Sequence, residues 1–183
     1  MAEQKVSYRY AKAILDLAKS EGQEDRVYED FRLVNLILKY VPELMSIAKK
    51  PLISPLKKKK LYNEIFFEKI SQLTLNFVLF LVDKGRDYLI PSIINQYESL
   101  YFELKNILPV EIFIARDFDD DLKNKLVKKL EETTAKKVVP KFVIDPNIIG
   151  GFKIKIEDWV FDTTLRNKLD SLYHELVSNI KVS

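Results

Sequence analysis

Apolar positions follow helical spacing through the first hundred residues and change to alternation after that. Residues 6 to 19 predict a first helix with two apolar stripes. Val6, Tyr10, Ala13, Ile14 and Leu17 cluster on one side, while Tyr8, Ala11, Leu15 and Ala18 lie nearly opposite. One stripe suffices for a core, so the other needs a second partner. Val27, Phe31, Val34, Leu38 and Val41 stripe a second helix that Pro42 ends. A short third helix runs from about Glu43 to Ala48, and Ser54-Pro55 is an N-cap and first-turn pair opening a fourth that continues to about Glu68. The fifth, Ile70 to Lys84, is apolar around most of its circumference and leaves only Gln72, Asn76 and Asp83 as a polar strip. A helix of that kind is covered on every side, by its own bundle or by a partner. Ile93, Tyr97, Leu100 and Leu104 stripe a sixth that begins near Tyr88.

The period changes at Asn106 to Pro109. Val110, Ile112 and Ile114 alternate with Glu111, Phe113 and Ala115, as a half-buried strand does. Asp119 caps a helix striped by Leu122, Leu126 and Leu130, and Val138 to Ile144 is a strand whose Pro140 suits a sheet edge. Two of the four glycines then stand side by side at Gly150-Gly151, a corner whose backbone needs angles that side chains resist. Phe152, Ile154 and Ile156 alternate with Lys153, Lys155 and Glu157; Asp158 reverses the chain into Val160-Phe161; and Leu165, Leu169, Leu172 and Leu176 stripe a last helix with Asp162 or Thr163 as its N-cap. The fold class expected is mainly α, a six-helix bundle over 1–105 followed by a smaller α/β domain over 106–183.

Composition narrows the function. At 183 residues, 47% hydrophobic and 31% charged, the chain has the make-up of an ordinary globular protein. Its longest apolar run, Phe77 to Val82, is far shorter than the ~20 residues that cross a bilayer. The polar opening Met1 to Lys5 leads directly into a helix, so no targeting peptide is expected. No cysteine is present, which excludes disulfides and thiolate metal sites. A net charge of +3 is small for a nucleic-acid binder.

Candidate chemistry is sparse. Lys57 to Lys60 suggest a phosphate or membrane contact, but four consecutive helical positions spread over every face and read better as a solvated surface. Asp117, Asp119 and Asp121 begin like a calcium loop, yet Leu122 stands where glycine is needed and Lys128 where the bidentate glutamate belongs. Gly150-Gly151 lacks the further residues of a dinucleotide loop or a P-loop. His174 is the one histidine and reads as a surface or interface residue. Trp159 and Phe161 read as core in preference to partner anchors. No catalytic, metal or cofactor residue is assigned.

The order Gly150-Gly151-Phe152, alternating apolar positions, the turn residue Asp158, apolar-Asp162 and a small-residue helix start resembles the C-terminal signature of the delta subunit family of F-type ATP synthase, which includes the oligomycin-sensitivity-conferring protein. Glu157 stands where that family usually has glycine, and Thr163-Thr164 where it has Gly-Ser. Tyr10-Ala11-Lys12-Ala13-Ile14, Asn76-Phe77 and Lys84-Gly85-Arg86 with Leu89-Ile90-Pro91 are similar to its other characteristic segments. The resemblance implies a non-catalytic stator subunit of a proton-translocating enzyme, peripheral on the cytoplasmic face of a bacterial inner membrane or in an organellar equivalent. It also implies that the first and fifth helices form a groove for the N-terminal helix of an alpha subunit. Tyr8, Ala11, Leu15 and Ala18 with Phe77 and Phe80 are the groove residues expected, and the C-terminal domain is expected to hold the C-terminus of the b subunit. No small-molecule substrate or nucleic acid is implied. The alternative is a nucleic-acid adaptor using Lys57 to Lys60 and the tyrosines; an enzyme is a distant third.

Overall fold

The computed structural model describes residues 2–50, 52–156, 159–165 and 167. The chain divides into two compact units, 1–104 and 105–183. It is mainly helical with a small four-stranded sheet.

The first unit contains α1 (Ala2–Ser20), α2 (Glu24–Tyr40), α3 (Pro42–Ala48), α4 (Pro55–Phe66), α5 (Gln72–Asp83), a single 3-10 turn (Asp87–Leu89) and α6 (Ile90–Leu104). The helix boundaries follow local chemistry. α2 stops where the Val41 N–H closes onto the Ile37 carbonyl and Pro42 takes the first turn of α3. Gly85 adopts φ +63°, which lets the Arg86 N–H reach back 2.8 Å to the Leu81 carbonyl and close the α5 C-terminus. Ser54 occupies the N-cap position of α4, but its hydroxyl makes no capping bond. The core is built from Ile14, Val27, Phe31, Val34, Tyr62, Phe66, Val78, Leu81, Ile93 and Tyr97, all buried. The Phe31 and Tyr97 rings meet edge to face at 4.9 Å, and the Tyr62 and Phe66 rings are stacked at 6.0 Å.

Two buried polar knots tie helices that are distant in sequence. Asp30 of α2 is buried, and its Oδ2 accepts from the Ser71 N–H and the Thr74 hydroxyl, both at 2.8 Å. It thus satisfies N-terminal groups of α5 alongside the Ser71 hydroxyl, which accepts from the Thr74 N–H. Lys58 corrects the expectation of a solvated lysine run: it is buried, and its Nζ donates to the Ala48 carbonyl at 2.6 Å and to Asp87 at 3.0 Å. Burial and the same Asp87 carboxylate push the nearby Tyr62 hydroxyl well above its ordinary pKa, so it stays neutral.

The second unit contains β1 (Ile107–Ile114), α7 (Asp120–Thr134), β2 (Lys137–Ile144), β3 (Phe152–Ile156) and β4 (Trp159–Asp162). The sheet order is β2-β1-β3-β4. α7 carries the chain between the parallel strands β1 and β2, while β1–β3 and β3–β4 pair antiparallel. Pro140 lies in the edge strand β2, where its missing N–H costs no ladder bond on the open side. Leu108, Val110, Ile112 and Ile114 of β1 form the buried face with Val138 and Ile154, and Leu126, Val127 and Leu130 of α7 pack against it. The Asp119 side chain caps α7 by accepting from the Leu122 N–H at 2.8 Å.

The Gly150-Gly151 corner is a close approach. Segment 163–165 runs against it, with the Leu165 N–H donating to the Gly150 carbonyl at 3.0 Å and the Thr163 N–H and hydroxyl both donating to the Phe152 carbonyl. A Cβ at Gly151 would sit 2.6 Å from the Thr163 oxygen, at φ +82°. The helix start differs from the expected Asp162 or Thr163 cap. Asp162 Oδ1 accepts from the Thr164 N–H, and the Thr164 hydroxyl accepts from the Asn167 N–H three residues on, so Thr164 is the N-cap. Hydrogen bonds from Thr164 hold the Asp162 carboxyl below the usual carboxylate range. Asp158, Leu169, Leu172, His174 and Leu176 lie outside the described residues.

Candidate functional site

Burial along α1 cuts across its two stripes, taking Ile14 from the first and Ala11, Leu15 and Ala18 from the second. Ser7, Ala11, Ile14, Leu15 and Ala18 are buried, with Ala11 and Ala18 at 0% exposure. The small side chains at Ser7, Ala11 and Ala18 bring the α1 backbone close to its neighbours, chiefly α6. Ala11, Leu15 and Ala18 therefore belong to the core of the free chain, not to an open groove, which corrects three of the six groove residues expected from the sequence. Tyr8 is exposed at 42%, but beside Gln4, Lys5, Arg9 and Gln96 of α6. It stands on the other edge of α1 from α5.

The stripe that turns outward on the α5 side is the opposite one. Val6 and Tyr10 are half-buried, Ala13 is exposed and Leu17 is 46% exposed. On α5, Leu73, Phe77 and Phe80 fall at i, i+4 and i+7, with Thr74, Leu75, Val78, Leu81 and Val82 buried on the inner side. Phe80 is 43% exposed, and its ring meets Tyr10 edge to face at 6.3 Å. Phe77 is half-buried against Phe31, 6.1 Å away. The structure brings Phe80 against Tyr10 and Phe77 against Phe31 of α2, places Tyr8 beside Gln96 of α6, and buries Ala11, Leu15 and Ala18. A sequence signal for this existed: two residues at the most inward angle of α1 are alanines, and small residues mark close helix packing at least as often as an open seat for a partner.

One end of this surface is cationic. The Arg86 guanidinium lies 5.4 Å over the Tyr10 ring and donates to its hydroxyl at 2.5 Å. Lys84 stands 5.4 Å over Phe80. Such cation–π contacts attract each cation to the face of its ring. Neither cation makes an ion pair among the described residues.

On the far side of α5, Leu79 forms the floor of a shallow cleft with Leu56, Lys57, Lys59, Lys60 and Asn63 of α4. In the second unit, Trp159 and Phe161 of β4 are 81% and 66% exposed, against the core placement expected for them. β4 is an edge strand of the sheet. No group of three or more His, Cys, Asp or Glu side chains that could hold a metal is found among the described residues. No described helix is long and apolar enough to cross a membrane.

The helices of this chain display aromatic and aliphatic surface, and the buried Asp30, Lys58 and Asp87 are engaged in internal caps and ion pairs. Comparison with known proteins narrows this to a family. The family described as ATP synthase delta (OSCP) subunit matches residues 6–176. A protein of Fusobacterium nucleatum named ATP synthase subunit delta is 33% identical over 93% of this chain and 98% of its own length. One of Chloroherpeton thalassium, of the same name, is 34% identical over 94% of each. The chloroplastic delta subunit of Trieres chinensis is 30% identical over 97% of this chain. A chain of the Toxoplasma gondii mitochondrial ATP synthase hexamer shares the fold, with a TM-score of 0.70 over 93% of this chain at 19% identity. The chain belongs to the ATP synthase delta (OSCP) subunit family, and as a member it is a non-catalytic structural subunit with a stator role.

Proposed function

We propose that the α1–α5 surface is the seat for the N-terminal helix of an alpha subunit, and that the unit 105–183 holds the C-terminus of a b subunit. α1 to α6 then act as one bundle that grips the catalytic head, peripheral to the membrane on its cytoplasmic face or in the equivalent organellar compartment. The observation that carries this reading is the edge-to-face contact of Tyr10 on α1 with Phe80 on α5, with Ala13 and Leu17 exposed along the same stripe of α1, Phe77 one turn from Phe80 on α5, and cations over both touching rings. An apolar face of that width suits the apolar stripe of a single added helix, and its aromatic anchors suit the tight binding that resisting torque demands.

The test uses a synthetic peptide of the first ~25 residues of the alpha subunit from the same organism, a length that spans roughly 37 Å as helix. Ala13→Glu is expected to keep the melting curve of the parent, because that position is exposed in the free chain. Docking would then bury the new carboxylate without a partner, at several kcal/mol. Affinity for the peptide should fall roughly a thousandfold. Unchanged affinity in Ala13→Glu and in Leu17→Glu would remove the groove from this surface. Salt-sensitive binding to a single-stranded oligonucleotide would instead favour the nucleic-acid adaptor.

A further inference from the structure

The cleft between α4 and α5 has a chemistry that the α1–α5 surface lacks. From Ala48 to Asn63 the chain contains six lysines and no acidic residue. The structure sorts the four on α4. Lys58 is held inside the fold by Asp87 and the Ala48 carbonyl, and Lys59 is paired with Asp83. Lys57 makes no ion pair among the described residues, and Lys60 reaches Glu64 only at 4.0 Å with both side chains mostly in water. A pair of that kind contributes little and is easily exchanged. Lys57 and Lys60 therefore stand as available cations on the lip of the cleft, three residues apart and so on neighbouring turns of one face. Between α4 and α5, Leu56 and Leu79 supply an aliphatic floor, and Leu56 is 79% exposed.

We infer that this cleft is a second docking site, and that its occupant is an acidic amphipathic helix from another subunit of the ATP synthase. The inference rests on the membership of this chain in that complex and is independent of which helix fills the α1–α5 surface. Charge complementarity selects the occupant: carboxylates toward Lys57 and Lys60, aliphatic side chains at i and i+4 over Leu56 and Leu79. α4 has 12 residues, so about 18 Å of occupant, or three helical turns, would lie along it. Among the described residues no aromatic ring lines the cleft, which leaves a nucleic acid nothing there to stack its bases on. The apolar floor lies between two helices instead of standing proud as a stripe, which disfavours a lipid surface.

The site can be read by photo-crosslinking in the intact, purified ATP synthase. Leu56→p-benzoylphenylalanine is introduced, with Asn63→p-benzoylphenylalanine, about two turns further along α4, as a second reporter should the first fail to assemble. The result expected is a cross-link to one protein segment of net negative charge with an apolar i, i+4 pair. Adding Lys57→Glu and Lys60→Glu should lower the yield at least about tenfold, as should raising the salt from about 0.05 to 0.5 M, where screening shortens to a few ångströms. The melting curve of the isolated subunit should not move, because both lysines are exposed. Cross-links to lipid, to nucleic acid or to a neutral or basic segment overturn the proposal. So does an absent cross-link from both reporters in an assembled complex, or a yield that charge reversal leaves unchanged. The alpha peptide titration separates the two readings: peptide binding that survives while the cleft gives no cross-link removes only this proposal.

Discussion

Two apolar surfaces flank α5, and they are built from different materials. The face toward α1 is aromatic, with Tyr10, Phe77 and Phe80 anchored partly in the core and only one end charged. The cleft toward α4 is aliphatic and shallow, with lysines on its lip. Anchored aromatics bury large area at small entropic cost, so the first surface should bind tightly and tolerate salt. A lysine lip over a small floor steers and registers a partner more than it holds one, so the second should be weaker and salt-sensitive. The same helix can serve both because Thr74, Leu75, Val78, Leu81 and Val82 keep a third face for the core.

The largest effect that could break this comparison comes from the core stripe of α1. Ala11→Glu places a carboxylate at a position with no exposure, and the free chain is expected to lose its cooperative thermal transition, whereas Ala13→Glu, two residues on, melts like the parent. Equal melting curves for the two variants would mean that the faces of α1 are assigned the wrong way round. Next in size is Asp87→Ala, which strands the buried Lys58 ammonium. A loss of about 3–5 kcal/mol by denaturant titration is expected. Lys57→Ala, on the lip, should change stability by less than about 0.5 kcal/mol, which sharpens the difference between buried and available lysines of one run.

A smaller effect should appear outside both surfaces. Gly151→Ala meets the Thr163 oxygen at φ +82° and is expected to destabilise the second unit by about 1 kcal/mol or more, measured by hydrogen exchange in β1 and β3. The smallest is a pH effect at Asp162. Its folded carboxyl is held below the ordinary range, so it contributes stability above its unfolded pKa of about 4, and that contribution disappears as pH falls through the lower folded value. Asp162→Asn should therefore cost stability at neutral pH and nearly nothing at about pH 2, read from melting temperatures at both.

Much of the architecture was legible in the pattern of the chain. Helices striped at 3.6 residues, the change to alternation near Pro109 and the Asp119 cap all report local physics, which a sequence carries on its face. Pro140 announced an edge strand because a missing N–H is intolerable between two neighbours. The glycine pair announced a corner, although not that segment 163–165 would be what crowds it. The site was legible only in part. Phe77 is half-buried and Phe80 exposed on α5, but Ala11, Leu15 and Ala18 are buried in the free chain and Tyr8 stands beside Gln96 of α6.

What the sequence determined by itself was the presence of two apolar stripes on α1, a nearly all-apolar α5, and the order of elements in both units. Which stripe of α1 meets the core was decided only by tertiary structure, because periodicity fixes the angle between faces but not which of them a neighbouring helix will cover. The small side chains of Ser7, Ala11 and Ala18 settled it by permitting close approach to α6. Lys58 is the same lesson in charge: nothing distinguishes it from Lys57 or Lys60 along the chain. Asp87 and the Ala48 carbonyl, 29 and 10 residues away, offset the cost of burying its ammonium, and only the fold brings them to it.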